Sequence, residues 1–146
     1  MSLQRQAKEF RKVFGQECLP NIAHYGFIKK QLWDMQVRLI EEEAAEFSEA
    51  AGECFADPEN IDRRTELLKE LSDLVFVCYQ FAAALNLDLD KAMNLVFESN
   101  MSKLDEQGKP IFRADGKVLK GPNYAPPDLL DCVPDVHFNH YDTNGK

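Results

Sequence analysis

Histidine is scarce in this chain of 146 residues, and the scarcity excludes a class of metal site. Its three histidines, His24, His137 and His140, lie outside every segment with helical periodicity. A di-iron carboxylate bundle takes Glu-x-x-His pairs from its helices, so that reading fails on ligand type. His137 and His140 sit three apart in an aperiodic tail and read as incidental. Cysteine is also sparse: Cys18, Cys54, Cys78 and Cys132 form no Cys-x-x-Cys pair, so no zinc-site or redox spacing is present. Cys54 and Cys78 fall in apolar helical patterns, where a free thiol behaves as a small hydrophobe. A cytoplasmic location is expected. No long apolar run occurs. The stretch Leu74–Leu87 is nearly uncharged. It falls short of the ~20 residues a membrane span needs and reads as a buried core helix. The opening residues, Met1 to Gln6, carry no apolar run of the signal-peptide kind. Positive charge is in deficit, with 17 basic residues against 25 acidic ones and a net charge of −8. That balance argues against a broad nucleic-acid surface. An acidic protein can still bind phosphates if its carboxylates hold cations that face them.

What is present is apolar content of 45%, enough for a folded core. The length fits a single domain, 1–146, helical over 1–105 with loop and tail over 106–146. Apolar residues at Leu3, Ala7, Phe10, Val13 and Phe14 give the first helix within 2–15. Residues 16–30, with Pro20, Asn21 and Gly26, read as a connecting loop. A second helix runs from Gln31 to about Phe55 and stops at Asp57-Pro58. A third runs from about Ile61 to Leu85. A fourth, capped by Asp88, reaches about Leu104. Turn residues Gly108-Lys109-Pro110 and Asp115-Gly116-Lys117 flank Ile111-Phe112 and predict a hairpin-like excursion. Four of the seven prolines fall in 121–146. The expected fold is all-α, a four-helix-bundle-like protomer with an irregular C-terminal hairpin and tail. Because 74–85 is apolar nearly all round, a homodimer or homotetramer is expected to cover what one protomer leaves open.

The acids on the second and third helices are placed unusually. With Leu39 at zero, Leu32, Leu39, Ile40, Phe47, Ala50, Ala51 and Cys54 share one arc. Glu43 lies at about 40°, inside that arc, with Glu46 at about −20° and Glu42 at about −60°. Glu41 faces away and is ordinary solvated charge. On the third helix Glu70 lies at about −60° from Leu67, and Asp73 at about −120°, beside Val77. Each helix thus turns an i, i+3 carboxylate pair toward its packing side. Clustered, partly buried carboxylates are costly unless a cation compensates or some protonate. Four of them from two facing helices supply the hard oxygen donors that Mg²⁺ or Mn²⁺ prefers. The competing reading is a solvated, Glu-rich surface, which would place the acids outside the apolar stripe.

These residues also carry a resemblance. Glu42-Glu43-Ala44-Ala45-Glu46, followed by Glu70-Leu71-Ser72-Asp73, resembles the EExxE…ExxD signature of the MazG-like all-α NTP pyrophosphohydrolases. That superfamily includes phosphoribosyl-ATP pyrophosphohydrolases and dimeric dUTPases. Ser99-Asn100-Met101-Ser102-Lys103-Leu104 and the segments Gly108–Ile111, Asp115–Tyr124 and Pro126–Leu129 are similar to a phage and bacterial subgroup of it. The likeness spans about residues 36 to 130. It implies Mg²⁺, with Mn²⁺ possible in its place, on Glu43, Glu46, Glu70 and Asp73. Glu42 is then implied to orient or deprotonate the attacking water. The implied reaction is hydrolysis of a nucleoside triphosphate, a dNTP by preference, to the monophosphate and pyrophosphate. Asn100 and Lys103 read either as a polar helix end or, by the resemblance, as contacts to substrate, with Lys120 and Lys117 as further candidates. Trp33 and Tyr79 read first as core aromatics and second as platforms for a base. The alternatives are phosphoribosyl-ATP as substrate, or a helical interaction module without catalysis.

Overall fold

The computed structural model describes residues 1–16, 18 and 27–134. Among them are four α-helices: α1 (Leu3–Val13), α2 (Phe27–Ala56), α3 (Ile61–Ala84) and α4 (Leu89–Met101). The all-α expectation holds. The sequence places α2 too late by four residues, because Phe27–Lys30 extend it, and carries α4 three residues too far. Histidines 24, 137 and 140 and the end of the tail, residues 135–146, lie outside the described residues. None of the described helices is long and apolar enough to cross a membrane. The described residues fall into two compact units, Met1–Leu87 and Asp88–Val133.

In the first unit, local chemistry sets the helix ends. Ser2 caps α1, its hydroxyl accepting from the Arg5 N–H. At the other end Gly15 has φ +63°, its N–H bonds to the Lys12 carbonyl, and Gln16 N–H reaches the Arg11 carbonyl. This paired closure needs a left-handed residue, which glycine adopts without strain. The end of α3 repeats the device with Asn86 at φ 55°: Asn86 N–H bonds to Ala83 and Leu87 N–H to Ala82. Asn60 caps α3 by accepting from the Asp62 and Arg63 N–H groups. With so short a connection, α2 and α3 run antiparallel. Trp33 meets Phe81 edge-on at 5.4 Å near one end of the pair, and Arg63 pairs with Glu53 near the other.

Helix α1 packs on α3, but on a face the apolar spacing did not indicate. Its buried residues are Gln4, Ala7 and Arg11, whereas Leu3, Val13 and Phe14 are exposed. The reason is the polar partners waiting on α3. Gln4 Nε2 donates to the Leu87 carbonyl at 2.9 Å. Gln80 donates to the Ala7 carbonyl and accepts from Arg11, which also donates to Gln16. Arg11 is 1% exposed, and Gln80 and Gln16 are among its partners. Phe10 contributes the apolar part, stacked on Phe14 and edge-on to Phe76. Exposed Leu3, Leu68, Leu71 and Val75 are left lining an open groove of about 470 Å³ with Phe76.

In the second unit Asp88 caps α4, accepting from the Lys91 N–H, while its own N–H bonds to the Cys132 carbonyl. After α4 the chain makes the expected hairpin-like excursion, reduced to one antiparallel bridge between Phe112 and Val118. It then returns past the end of α4. Ser99 donates to the Ala125 carbonyl at 2.7 Å, and the Ala125 N–H donates to Ser102 Oγ at 2.9 Å. Gly121 passes so close that a Cβ there would meet the Leu104 carbonyl oxygen at 2.2 Å. Only glycine fits.

Candidate metal centre

The antiparallel register of α2 and α3 brings Glu43 and Glu46 of one helix against Glu70 of the other. One carboxylate oxygen from each of the three lies within 4.8 Å of the others. The depth ranking differs from the angular expectation. Glu70, at about −60° from Leu67 in the sequence reading, is 6% exposed, while Glu43, expected mid-stripe, is half-buried and Glu46 exposed. Helix α3 is packed by both α1 and α2, so its flank is covered.

Burial raises the pKa of Glu43 first, and the like charges of Glu46, Asp73 and Glu70 raise it further, against a smaller lowering by Lys69. Lys69 donates to Glu70 Oε1 at 2.7 Å and lies 3.3 Å from Asp73 Oδ2. That hydrogen bond is the main reason the Glu70 carboxyl is held below its ordinary value and the ammonium above its own. Asp73 thus faces Lys69 and does not join the three clustered oxygens. Glu42 is exposed on α2, also outside that group.

A metal ion fits this arrangement by a direct test. Glu43 Oε2 and Glu70 Oε2 are buried and accept no hydrogen bond. Buried carboxylate oxygens ordinarily have a donor or a cation. Here the neighbouring groups are themselves acceptors, and oxygen donors alone select a hard divalent ion. Gln36 Oε1, two turns before Glu43 on α2, is a third buried oxygen without a partner.

Sequence reasoning missed Glu66. Burial and a hydrogen bond with Glu70, the hydrogen bond being the larger effect, raise its pKa. Its spacing, one helical turn before Glu70, was the available signal. The proposed substrate contacts form their own group in the second unit. Lys103 Nζ donates to Asn100 Oδ1 at 2.6 Å, and Lys120 Nζ sits 4.5 Å over the Tyr124 ring. Lys117 is engaged through its backbone, its N–H donating to Asp115 Oδ1 and its carbonyl accepting from the Arg113 N–H. Tyr79 is buried, as a core aromatic would be, whereas Trp33 is 40% exposed.

A profile of the phosphoribosyl-ATP pyrophosphohydrolase family matches residues 7–100, most of the chain and all of α2 and α3. The chain belongs to this family. No curated protein matches it. Membership places the chain in the MazG-like all-α NTP pyrophosphohydrolase superfamily and makes it a nucleotide pyrophosphohydrolase. Such enzymes are typically metal-dependent, and the acidic cluster on α2 and α3 holds the matching donors. The match includes both carboxylate motifs and Asn100 at its limit. Lys103 and Lys120 lie beyond it.

Proposed function

We propose that the chain hydrolyses a nucleoside triphosphate, a dNTP by preference, to the monophosphate and pyrophosphate, as one domain with Mg²⁺ on Glu43, Glu46, Glu70 and Asp73. The observation that carries this reading is the pair of buried, donor-free oxygens on Glu43 and Glu70, which face each other across α2 and α3. Bound Mg²⁺ would neutralise charge on the α-phosphoryl group and on the departing pyrophosphate. Water attacks the α-phosphorus, its oxygen forms the new P–O bond, and the bond to the bridging oxygen breaks toward pyrophosphate. Glu42 is positioned on the exposed side of the same helix turn and takes the proton from that water. Lys69 pairs with Glu70 and Asp73 and offsets part of their charge. Asn100, Lys103 and Lys120 are the candidates for contacting the nucleotide.

A helical module without catalysis is disfavoured, because a docking face would not bury carboxylates without partners. Phosphoribosyl-ATP is the second substrate reading and is favoured by the family's own description. A homodimer or homotetramer is supported by the exposed apolar groove of Leu3, Leu68, Leu71 and Val75. The deciding experiment is pyrophosphate release across dNTPs, NTPs and phosphoribosyl-ATP, with Mg²⁺ or EDTA. Orthophosphate as first product, or full activity in EDTA, would overturn the mechanism. Activity on phosphoribosyl-ATP alone would replace the substrate.

A further inference from the structure

The carboxylate cluster accounts for two of the three buried, donor-free oxygens, those of Glu43 and Glu70. It does not account for the third. Gln36 is 5% exposed, and its Oε1 has no hydrogen-bond partner. A buried amide oxygen ordinarily has one. Gln36 lies seven residues before Glu43 on α2, about 10 Å along the helix axis. Both side chains lean toward the helix N-terminus, so that separation persists at their tips and the amide does not share an ion with the cluster.

Seven residues is close to two whole turns, so Gln36 and Glu43 lie within about 20° of one another on α2. Trp33, three residues before Gln36, is 40% exposed and meets Phe81 of α3 edge-on at 5.4 Å. Along the α2–α3 seam the order is therefore an aromatic pair, an unpaired amide and then carboxylates suited to a cation. A nucleotide has the complementary order: a flat base with hydrogen-bonding groups on its edge, a sugar, then phosphates. An amide carries an acceptor and a donor side by side, the complement of a base edge. A turn about its last side-chain bond exchanges the two atoms, so either orientation of the amide meets such an edge. Aromatic rings beside it give the base a face to stack on.

We infer that Gln36 is a specificity-determining residue for the nucleotide, its amide pairing with the hydrogen-bonding edge of the base while the phosphates lie at the acidic cluster. The inference deepens the proposed function and rests on its placing of the phosphates at Glu43, Glu46 and Glu70. A sugar hydroxyl is the weaker occupant, because about 10 Å of helix from the carboxylates carries past the sugar. Gln36 lies outside the EExxE and ExxD motifs, so base choice is separable from the metal ligands.

Trp33 is the one tryptophan of the chain, so its fluorescence reports a base arriving beside Gln36 without reference to turnover. In Mg²⁺, the full chain, its Gln36→Leu variant and, as a control, Glu41→Gln are titrated with dCMP, dTMP, dUMP, dAMP, dGMP and AMP. The expected result is one monophosphate held most tightly by the unaltered protein and by Glu41→Gln. Its Kd should rise about tenfold in Gln36→Leu, the scale of one lost hydrogen bond, with the differences among the monophosphates levelled. Without nucleotide, Gln36→Leu should melt at or above the unaltered protein, and melting below it would give the amide an internal partner and overturn the assignment. Equal weakening of every monophosphate, or of none, overturns Gln36 as the base contact, as does fluorescence that none of them moves at millimolar concentration. Selective binding that Gln36→Leu abolishes, with no pyrophosphate released from any triphosphate, overturns the proposed hydrolysis and leaves the base contact standing.

Discussion

The two contacts that α3 makes, with α1 and with α2, both bury polar side chains, and they do so in opposite ways. Against α1 the buried groups answer one another: Gln4 finds Leu87, Gln80 finds Ala7, and Arg11 finds Gln80 and Gln16. Against α2, Gln36, Glu43 and Glu70 each leave an oxygen without a donor. A satisfied buried polar group stabilises the fold it sits in, and an unsatisfied one costs it free energy. The first contact is therefore structural glue, and the second is organised around something the polypeptide does not itself supply. Mutations on the two sides of α3 should separate accordingly.

The largest expected effect is at Glu43. Glu43→Gln removes a proposed metal ligand, so pyrophosphate release should fall by roughly 10³-fold, the scale of losing one electrostatic stabiliser of a transition state. In EDTA the variant should melt no lower than the unaltered protein, because it also relieves the repulsion that raises the Glu43 pKa. For the unaltered protein, Mg²⁺ at ~100 times its Kd adds about 2.7 kcal/mol, a melting shift of roughly 5–10 °C that the variant should lose. Should Glu43→Gln melt several degrees lower in EDTA yet keep its Mg²⁺ shift, the two contacts are not different in kind.

Next comes Arg11, on the α1 side. Arg11→Met should destabilise the fold by about 3 kcal/mol, since it removes a buried hydrogen-bonded guanidinium and leaves the buried Gln80 oxygen without that donor. Here the Mg²⁺-induced shift should persist undiminished. Urea unfolding with and without Mg²⁺ reads both quantities, and a lost Mg²⁺ response would tie α1 to the metal centre.

Gln36 sharpens the contrast, because its orphaned oxygen lies two turns from the acids. Gln36→Leu should raise stability by about 1 kcal/mol, as happens when a buried unsatisfied amide is replaced by an apolar group of like size. A lower melting temperature would mean that Gln36 is satisfied in solution. The smallest effect is expected outside the comparison, at the exposed Arg113–Asp115 pair. Arg113 holds the Asp115 carboxyl below its usual range, so any contribution is present above the unfolded-state pKa and fades as pH falls through the folded one. Asp115→Asn should leave the melting temperature unchanged at neutral pH, the usual fate of a surface ion pair.

How much was legible beforehand differs between these regions for a physical reason. The start of α4 was readable because Asp88 acts on a backbone group three residues away, within its own segment; Ser2 and Asn60 act in the same way, although no cap was read at either. The start of α2 was not, since Phe27–Lys30 follow a glycine and carry no cap signal that outweighs it. The carboxylate motif was readable because i, i+3 spacing fixes which side chains share a face whatever lies opposite. Glu66 escaped notice because it belongs to neither motif, and its one-turn spacing from Glu70 was the single signal for it.

By itself, then, the sequence determined the four helices, their caps, the facing acid pairs and, through the motif, the family. These follow from interactions within a few residues or within one helix turn, which the chain carries wherever it goes. Only the tertiary structure decided that α1 buries Gln4 and Arg11 in preference to Leu3 and Phe14, that Glu70 is the deepest of the acids, and that Glu66 crowds it. Each of those outcomes depends on what a neighbouring helix presents, and periodicity specifies a face without specifying its partner.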